Sequence, residues 1–323
     1  MNPLSAMFGG GVAVRNRLYD RGTLCSHHLQ APVVSIGSIS AGGAGKTPFL
    51  IMLGELLKQR GIGFNVLSRG YARRTKGVAL VDVAGTPQEF GDEPLLIARK
   101  LGVPVIVAED RYAAGQFAEE RFGQQAHLLD DGFQHRRLAR EFDIVLITKR
   151  DVEDTLLPVG RLREPLSSLT RASAIVFVDG AASDRIPVGE GQSVWRVSRG
   201  ITPPETADVC IAFCDIARPQ SFFEDLRKAS IQLAGTRGFR DHYRYSAADI
   251  QSLLKLRQQS GATAFVTTEK DEVNLGGYLP QLQPIHIVPV HMQFEPSLEA
   301  VAASPIEQIC AVIQARNETP VRE

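Results

Sequence analysis

Short apolar runs bounded by turn residues recur through roughly the first two hundred positions: Val33 to Ile36, Phe64 to Leu67, Val103 to Val107, His127 to Leu129, Ile144 to Ile147 and Ala174 to Val178. Runs this short and this uniformly apolar read as strands buried on both faces. Between several of them lie helical patterns, such as Phe49 to Leu57 and Ala113 to Phe122. The alternation predicts an α/β fold in which helices cover both faces of a mostly parallel sheet. The ligand crevice of such a sheet lies at the carboxyl ends of its strands.

From about residue 180 the pattern changes. Gly180 to Gly191 reads as a loop, Ser193 to Ser198 alternates like a half-buried strand, and Val209 to Phe213 is a further apolar run. Helices are expected at Pro219 to Leu233 and Ala247 to Gln258, strands at Ala264 to Thr267 and His286 to Val290, and a last helix at Pro305 to Ala315 before a frayed polar end. The expected organisation is therefore a larger domain over residues 1–192 and a smaller C-terminal α/β domain over 193–323, joined by a strand-like hinge at Ser193 to Ser198 and His286 to Val290.

Composition narrows the function classes. Hydrophobic residues make up 44% and charged residues 22%, an ordinary balance for a folded chain. Lys plus Arg equals Asp plus Glu at 36 each, so the summed field gives no reason to expect nucleic-acid binding, and any anion site must be local. Cys25, Cys210, Cys214 and Cys310 are too few and too scattered for a disulfide framework, which points to a reducing cytoplasm; Cys210 and Cys214 lack a second ligand pair for zinc and read as buried thiols. No apolar stretch approaches the ~20 residues needed to cross a bilayer, and no secretory signal is expected. Residues 3 to 19 mix Leu4, Met7, Phe8, Val12, Val14 and Leu18 with Arg15 and Arg17, a composition suited to a membrane interface if helical; Gly9, Gly10 and Gly11 argue against that helix.

The sharpest chemical signal is Ser40-Ala41-Gly42-Gly43-Ala44-Gly45-Lys46-Thr47, between a predicted strand and a predicted helix. It follows the pattern G-x-x-x-x-G-K-[ST] with Ser40 in place of the first glycine. Such a loop curls so that successive N–H groups meet phosphate oxygens; Lys46 would reach the β- and γ-phosphates and Thr47 would bind Mg²⁺. The predicted fold is thus of the P-loop NTPase type. A second anchor is the apolar run ending in Asp130 and Asp131, suited to holding Mg²⁺ or its water shell, with the choice between the two open. Thr268-Glu269-Lys270-Asp271 does not match the Asn-Lys-x-Asp of G proteins, and Ala41 stands where partition-type ATPases carry their signature lysine.

The run Gly37 to Pro48 resembles the loop of the tetraacyldisaccharide 4'-kinase (lipid A 4'-kinase) family. Further segments match in the family's order: Leu67 to Tyr71, Gly91-Asp92-Glu93-Pro94, Glu109-Asp110-Arg111, Leu129 to Arg136, Leu157 to Pro165, Asp241-His242-Tyr243 and Thr268 to Asp271. Together they cover roughly residues 15 to 290. The match is looser at both ends and at Phe213 to Pro219, where the family commonly has glycine at the position of Asp215.

The resemblance implies transfer of the ATP γ-phosphate, with Mg²⁺, to the 4'-hydroxyl of tetraacyldisaccharide 1-phosphate, making lipid IVA in lipid A biosynthesis. It implies Asp92 as the base, acting with His242, and catalysis then requires the two domains to close. Arg69, Arg73, Arg74, Arg111, Arg136, Arg161 and Arg163 are candidates for gripping phosphate, Arg69 and Arg111 foremost because they sit inside matched motifs. It further implies a peripheral enzyme on the cytoplasmic face of the bacterial inner membrane, held through the N-terminal segment. The rival readings are a kinase for a soluble sugar or nucleoside and a nucleotide-gated regulatory ATPase.

Overall fold

The computed structural model describes residues 2–181, 185–295 and 304–318. In chain order the elements are α1 (Pro3–Asp20), β1 (Val33–Ser38), α2 (Lys46–Gln59), β2 (Phe64–Ser68), β3 (Ala79–Leu80), α3 (Pro87–Phe90), α4 (Asp92–Leu101), β4 (Val105–Val107), α5 (Arg111–Phe122), β5 (Ala126–Asp130), β6 (Phe142–Ile147), α6 (Lys149–Glu153), β7 (Ala174–Val178) and β8 (Ser193–Ile201). They continue with β9 (Val209–Cys214), α7 (Pro219–Lys228), β10 (Gln232–Gly238), α8 (Ala247–Ser260), β11 (Ala264–Thr268), α9 (Glu269–Leu275), β12 (Ile285–Val288), β13 (Val290–Phe294) and α10 (Pro305–Glu318).

The first sheet runs β13-β8-β7-β6-β1-β5-β2-β4-β3, parallel except for β3 and β13 at its two edges. Alternate side chains of its strands feed two cores. On one face Val34 and Ile36 of β1 pack with Phe49, Leu50 and Leu53 of α2, Leu95 of α4 and Ile309 and Ile313 of α10. On the other, Val33 joins Ala114 and Ala118 of α5, while Val145, Ile147 and Ile175 meet Phe133 and Leu169. The P-loop-type sheet with helices on both faces is as the apolar pattern predicts.

The second sheet, β10-β9-β11-β12, is all parallel. Phe222, Phe223 and Leu226 of α7 seal one face, and Ile250 and Leu253 of α8 with Leu275 of α9 seal the other. Buried thiols are part of this core: Cys210 and Cys214 are fully buried, and burial pushes the Cys210 thiol up to about 11.

Several elements depart from expectation. Strand β8 pairs with β7, β13 pairs with β8, and α10 covers α2, so residues 193–201, 290–294 and 305–318 lie with the first sheet rather than in a C-terminal unit. The elements of the second sheet span 209–288 and are inserted between two adjacent strands of the first. The single strand expected at His286 to Val290 is two strands in two sheets, divided at Pro289, which has no N–H to continue a ladder. The helix expected to reach Leu233 stops at Lys228, and Gln232 to Gly238 form an edge strand beside β9.

Helix α1 forms in spite of Gly9, Gly10 and Gly11. Tertiary docking supplies what intrinsic propensity lacks. Pro3 at its first turn and the Asn2 side chain, accepting from Leu4 N–H, start it; the Ser5 hydroxyl donates to Leu156 O at 2.8 Å. The Asn16 amide donates to the buried Glu164 at 2.8 Å, and Arg136 pairs with Asp20 at 2.7 Å. Leu4, Met7 and Val14 remain 59%, 75% and 58% exposed.

Candidate active site

The loop from β1 to α2 is built on backbone that only glycine adopts freely: Gly42, Gly43 and Gly45 have φ of +73°, +76° and +83°. Ser40 is not left-handed, which is why a side chain is tolerated where the motif has glycine. It is buried and bridges to Leu162, and Arg161 stitches the loop from outside, its O accepting from Ala41 N–H and its guanidinium donating to Ala41 O, both at 2.8 Å. Helix α2 starts at Lys46 with Gly45 as cap and no side-chain capping bond, so its leading N–H groups and positive dipole end face the loop. Ala41, Gly42, Gly43, Gly45, Lys46 and Thr47 line a cleft of about 790 Å³ between the two sheets. Ala44 instead points into the core.

The two aspartates at the end of β5 have different surroundings. Asp131 accepts from both terminal nitrogens of Arg163 at 2.7 Å and lies 3.4 Å from Lys46 Nζ. Burial opposes its ionisation, but Lys46 and Arg163 outweigh it and hold its carboxyl far below the usual range. Among the described residues no cation lies at contact distance from Asp130. It accepts from the Ser68 hydroxyl at 2.8 Å, its Oδ1 is buried with no hydrogen-bond partner, and burial, then Glu93 and Asp131, push it up to about 7. The Thr47 hydroxyl donates to Glu93 Oε1 at 3.0 Å.

A buried carboxylate with an unmet oxygen, crowded by other carboxylates beside the P-loop threonine, fits a hard divalent cation. Among the described residues no three His, Cys, Asp or Glu side chains form a metal cage. Mg²⁺ typically takes only one or two carboxylates and completes its shell with water and substrate phosphates, so this donor set suits it.

Across the cleft, Asp92 opens α4 and His242 follows β10 in a left-handed conformation with φ +57°. The structure brings them together from the two sheets: His242 Nδ1 lies 3.0 and 2.9 Å from the two oxygens of Asp92. Burial opposes ionisation of both. The mutual hydrogen bond overrides it, with Lys270 assisting on Asp92, so the carboxyl stays well below and the imidazole above its ordinary value.

The arginine candidates separate cleanly. Arg69, Arg111 and Arg163 line the cleft, and the buried Nε of Arg111 has no partner. Arg73 is held by Glu109 at 3.0 Å, Arg136 by Asp20, and Arg161 by the loop backbone; Arg74 lies outside the cleft lining. His135 also lines the cleft, and burial, then Arg111, push it down to about 4, which keeps it neutral.

Sequence reasoning gave Glu93 no role, read Glu269 to Asp271 only as a second-domain cap or a substrate contact, and missed Asn274. Glu93 adjoins Asp92 in a matched segment, and Asn274 lies four residues beyond Lys270 in a helical stretch; those were the available signals.

A family model described as tetraacyldisaccharide-1-P 4'-kinase matches residues 1–307. The tetraacyldisaccharide 4'-kinase of Koribacter versatilis (strain Ellin345) is 48% identical over 326 residues, covering 98% of this chain and 99% of that protein. That of Aquifex aeolicus (strain VF5) is 35% identical over 293 residues, covering 85% and 89%. A crystal structure of Aquifex aeolicus LpxK in complex with ATP superposes with a TM-score of 0.76 at 30% identity, covering 97% of both chains. The chain therefore belongs to the tetraacyldisaccharide-1-P 4'-kinase family.

Proposed function

We propose that the protein phosphorylates the 4'-hydroxyl of tetraacyldisaccharide 1-phosphate with ATP, forming lipid IVA in lipid A biosynthesis. The observation that carries this reading is one cleft with a P-loop on one wall and, on the other, a buried carboxylate bonded to an imidazole from the second sheet.

In the reaction the acceptor oxygen forms a bond to Pγ, the bond from Pγ to the leaving ADP oxygen breaks, and the hydroxyl proton leaves. The loop amides and Lys46 cradle the polyphosphate, and Arg111 and Arg163 face the charge that spreads over the transferring group. Mg²⁺, held by Thr47 and Asp130 with Glu93 adjacent, would neutralise charge between the β- and γ-phosphates. Asp131 fixes Lys46 and Arg163 rather than the metal. Asp92 accepts the hydroxyl proton, and His242 orients its carboxylate. So well-stabilised a carboxylate is a weak base, which suits a loose transition state in which the proton departs late and positioning dominates.

The two bodies of the chain are read as lobes that close on substrate, with the crossings at 202–208 and Pro289 as the hinge. Helix α1 is read as a peripheral membrane contact on the cytoplasmic face of the inner membrane. Its exposed Leu4, Met7 and Val14, with Arg17 and Arg21 exposed nearby, support that reading. No described helix is long and apolar enough to cross a membrane.

The test is transfer of labelled γ-phosphate from ATP to detergent-solubilised tetraacyldisaccharide 1-phosphate by native protein, Asp92→Ala and Lys46→Ala. Product from native protein, with rates at least ~10²-fold lower in both variants, is expected. Steady acceptor-free ATP hydrolysis without product would discard the kinase reading.

A further inference from the structure

Asp92 is held by more than His242. Two side chains of α9, Lys270 and Asn274, four residues apart and so on one helical face, approach the same oxygen, Oδ2. The Asn274 amide donates to Asp92 Oδ2 at 3.3 Å and to Asp215 Oδ2 at 2.6 Å, using one N–H for each. Lys270 Nζ lies 3.5 Å from Asp92 Oδ2, donates to Asp241 Oδ1 at 2.6 Å and to Asp215 O at 3.3 Å, and stands 3.6 Å from Asp215 Oδ1.

Both side chains are anchored from behind. Asp215 is fully buried, and its N–H donates to the equally buried Asp271 at 2.7 Å. Asp271 in turn accepts from Tyr245 at 2.6 Å and caps the start of α9 through Thr268. An amide gripped at 2.6 Å has little freedom to turn its second N–H away from Asp92.

We propose that Lys270 and Asn274, locked by Asp241 and Asp215, are positioning residues that fix the orientation of Asp92 from the second lobe. His242 and these two side chains approach Asp92 from elements of that lobe, whereas Asp92 itself belongs to α4 of the first. The direct contacts of the Asn274 amide and the Lys270 ammonium with Oδ2, rather than the seating of α9 on α4 as such, therefore hold the carboxylate in its working orientation. This rests on the reading of Asp92 as proton acceptor.

Replacing Lys270 leaves Asp215 and Asp241 without their cation and can unfold the lobe, so the decisive variant is Asn274→Ala, which removes only a neutral amide. Phosphoryl transfer to the solubilised acceptor is measured for Asn274→Ala, Asp92→Asn, the double variant, Lys270→Arg and Lys100→Ala. Lys100 pairs with Glu269 at 2.6 Å across the same α4–α9 contact and serves as the control for helix seating alone.

Expected are a fall of about tenfold in kcat for Asn274→Ala, with KM for ATP and acceptor within about twofold and a melting temperature lowered by a few degrees at most, since the buried Asp215 loses one donor. In the Asp92→Asn background the same substitution has no further effect, since a residue acting through Asp92 loses its means of action. Lys270→Arg retains measurable turnover, and Lys100→Ala keeps native kcat. Native kcat in Asn274→Ala beside a crippled Asp92→Asn overturns the positioning role and leaves the Asp92 reading standing. An equal loss in Lys100→Ala, or an undiminished loss in the Asp92→Asn background, also overturns it. Native kcat in Asp92→Asn removes the reading beneath it, and the proposal with it.

Discussion

Asp130 offers the most quantitative test of the metal assignment. Its carboxyl moves from the ordinary 3.8 up to about 7, because it is buried beside Glu93 and Asp131. That is roughly a thousandfold in proton affinity, about 4 kcal/mol at most for keeping the group ionised with no cation present. The sign follows from linkage: an acid whose folded value is raised contributes least cost below its unfolded value, and the fold loses stability as pH rises from about 4 through about 7. Asp130→Asn keeps the acceptor for the Ser68 hydroxyl and removes the charge. In EDTA the variant should therefore melt above native protein at pH 8, by several degrees at roughly 2 °C per kcal/mol, and by less at pH 5.

The same substitution should raise the Mg²⁺ concentration needed for half-maximal phosphoryl transfer by tenfold or more. Asp131→Asn should behave oppositely. It leaves Lys46 and Arg163 without their carboxylate, lowers stability by about 1–3 kcal/mol for a side chain one third exposed, and reduces turnover with a smaller change in Mg²⁺ requirement. Differential scanning calorimetry at the two pH values and a Mg²⁺ titration at saturating ATP read both effects. An Asp130→Asn protein that melts below native at pH 8 in EDTA, or whose Mg²⁺ requirement is native while that of Asp131→Asn moves, would refute the assignment.

Two further outcomes are expected. Glu164 is fully buried and held by Arg171 at 2.9 Å and Asn16 at 2.8 Å, so Glu164→Ala should lower unfolding free energy by about 3–5 kcal/mol in urea titration at pH 7. Burial opposes its charge but Arg171 overrides it and depresses the carboxyl below its usual 4.5, so this stability is present above about that pH and fades as pH falls through the lower folded value. Deleting residues 1 to 14 removes Leu4, Met7 and Val14 while sparing Asn16 and Asp20; protein should move from the membrane to the soluble fraction, and unchanged partition would count against α1 as the anchor.

The chain's local patterns carry much of the fold. Uniformly apolar runs such as Ile144 to Ile147 read correctly because burial on both faces leaves a mark in every residue of the strand. The P-loop is legible for a similar reason: strand, glycine turn and helix start are contiguous, so the cradle for phosphate is written in one stretch. The family resemblance that the ordered motifs carry implied Asp92 and His242 as a pair, although they stand 150 positions apart.

What local pattern does not carry is pairing between distant segments. An alternating strand at 193–201 has the same appearance whether it opens a new domain or edges an old one; only its ladder with β7 decides. Three successive glycines argue against α1, and only its docking on Leu156, Glu164 and Arg136 restores the helix. Asp130 and Asp131 are adjacent and chemically identical in the sequence. Their difference arises because Lys46 and Arg163 contact one of them while the other meets the Ser68 hydroxyl and the charges of Glu93 and Asp131, and electrostatic environment is summed over space, not along the chain. Local sequence thus carried the phosphate cradle and the buried strands of the first sheet, and the family resemblance carried the acid–imidazole pair, whereas tertiary structure alone decided which carboxylate is paired with cations and which second-lobe side chains approach Asp92, because those depend on distances between elements that no local pattern records.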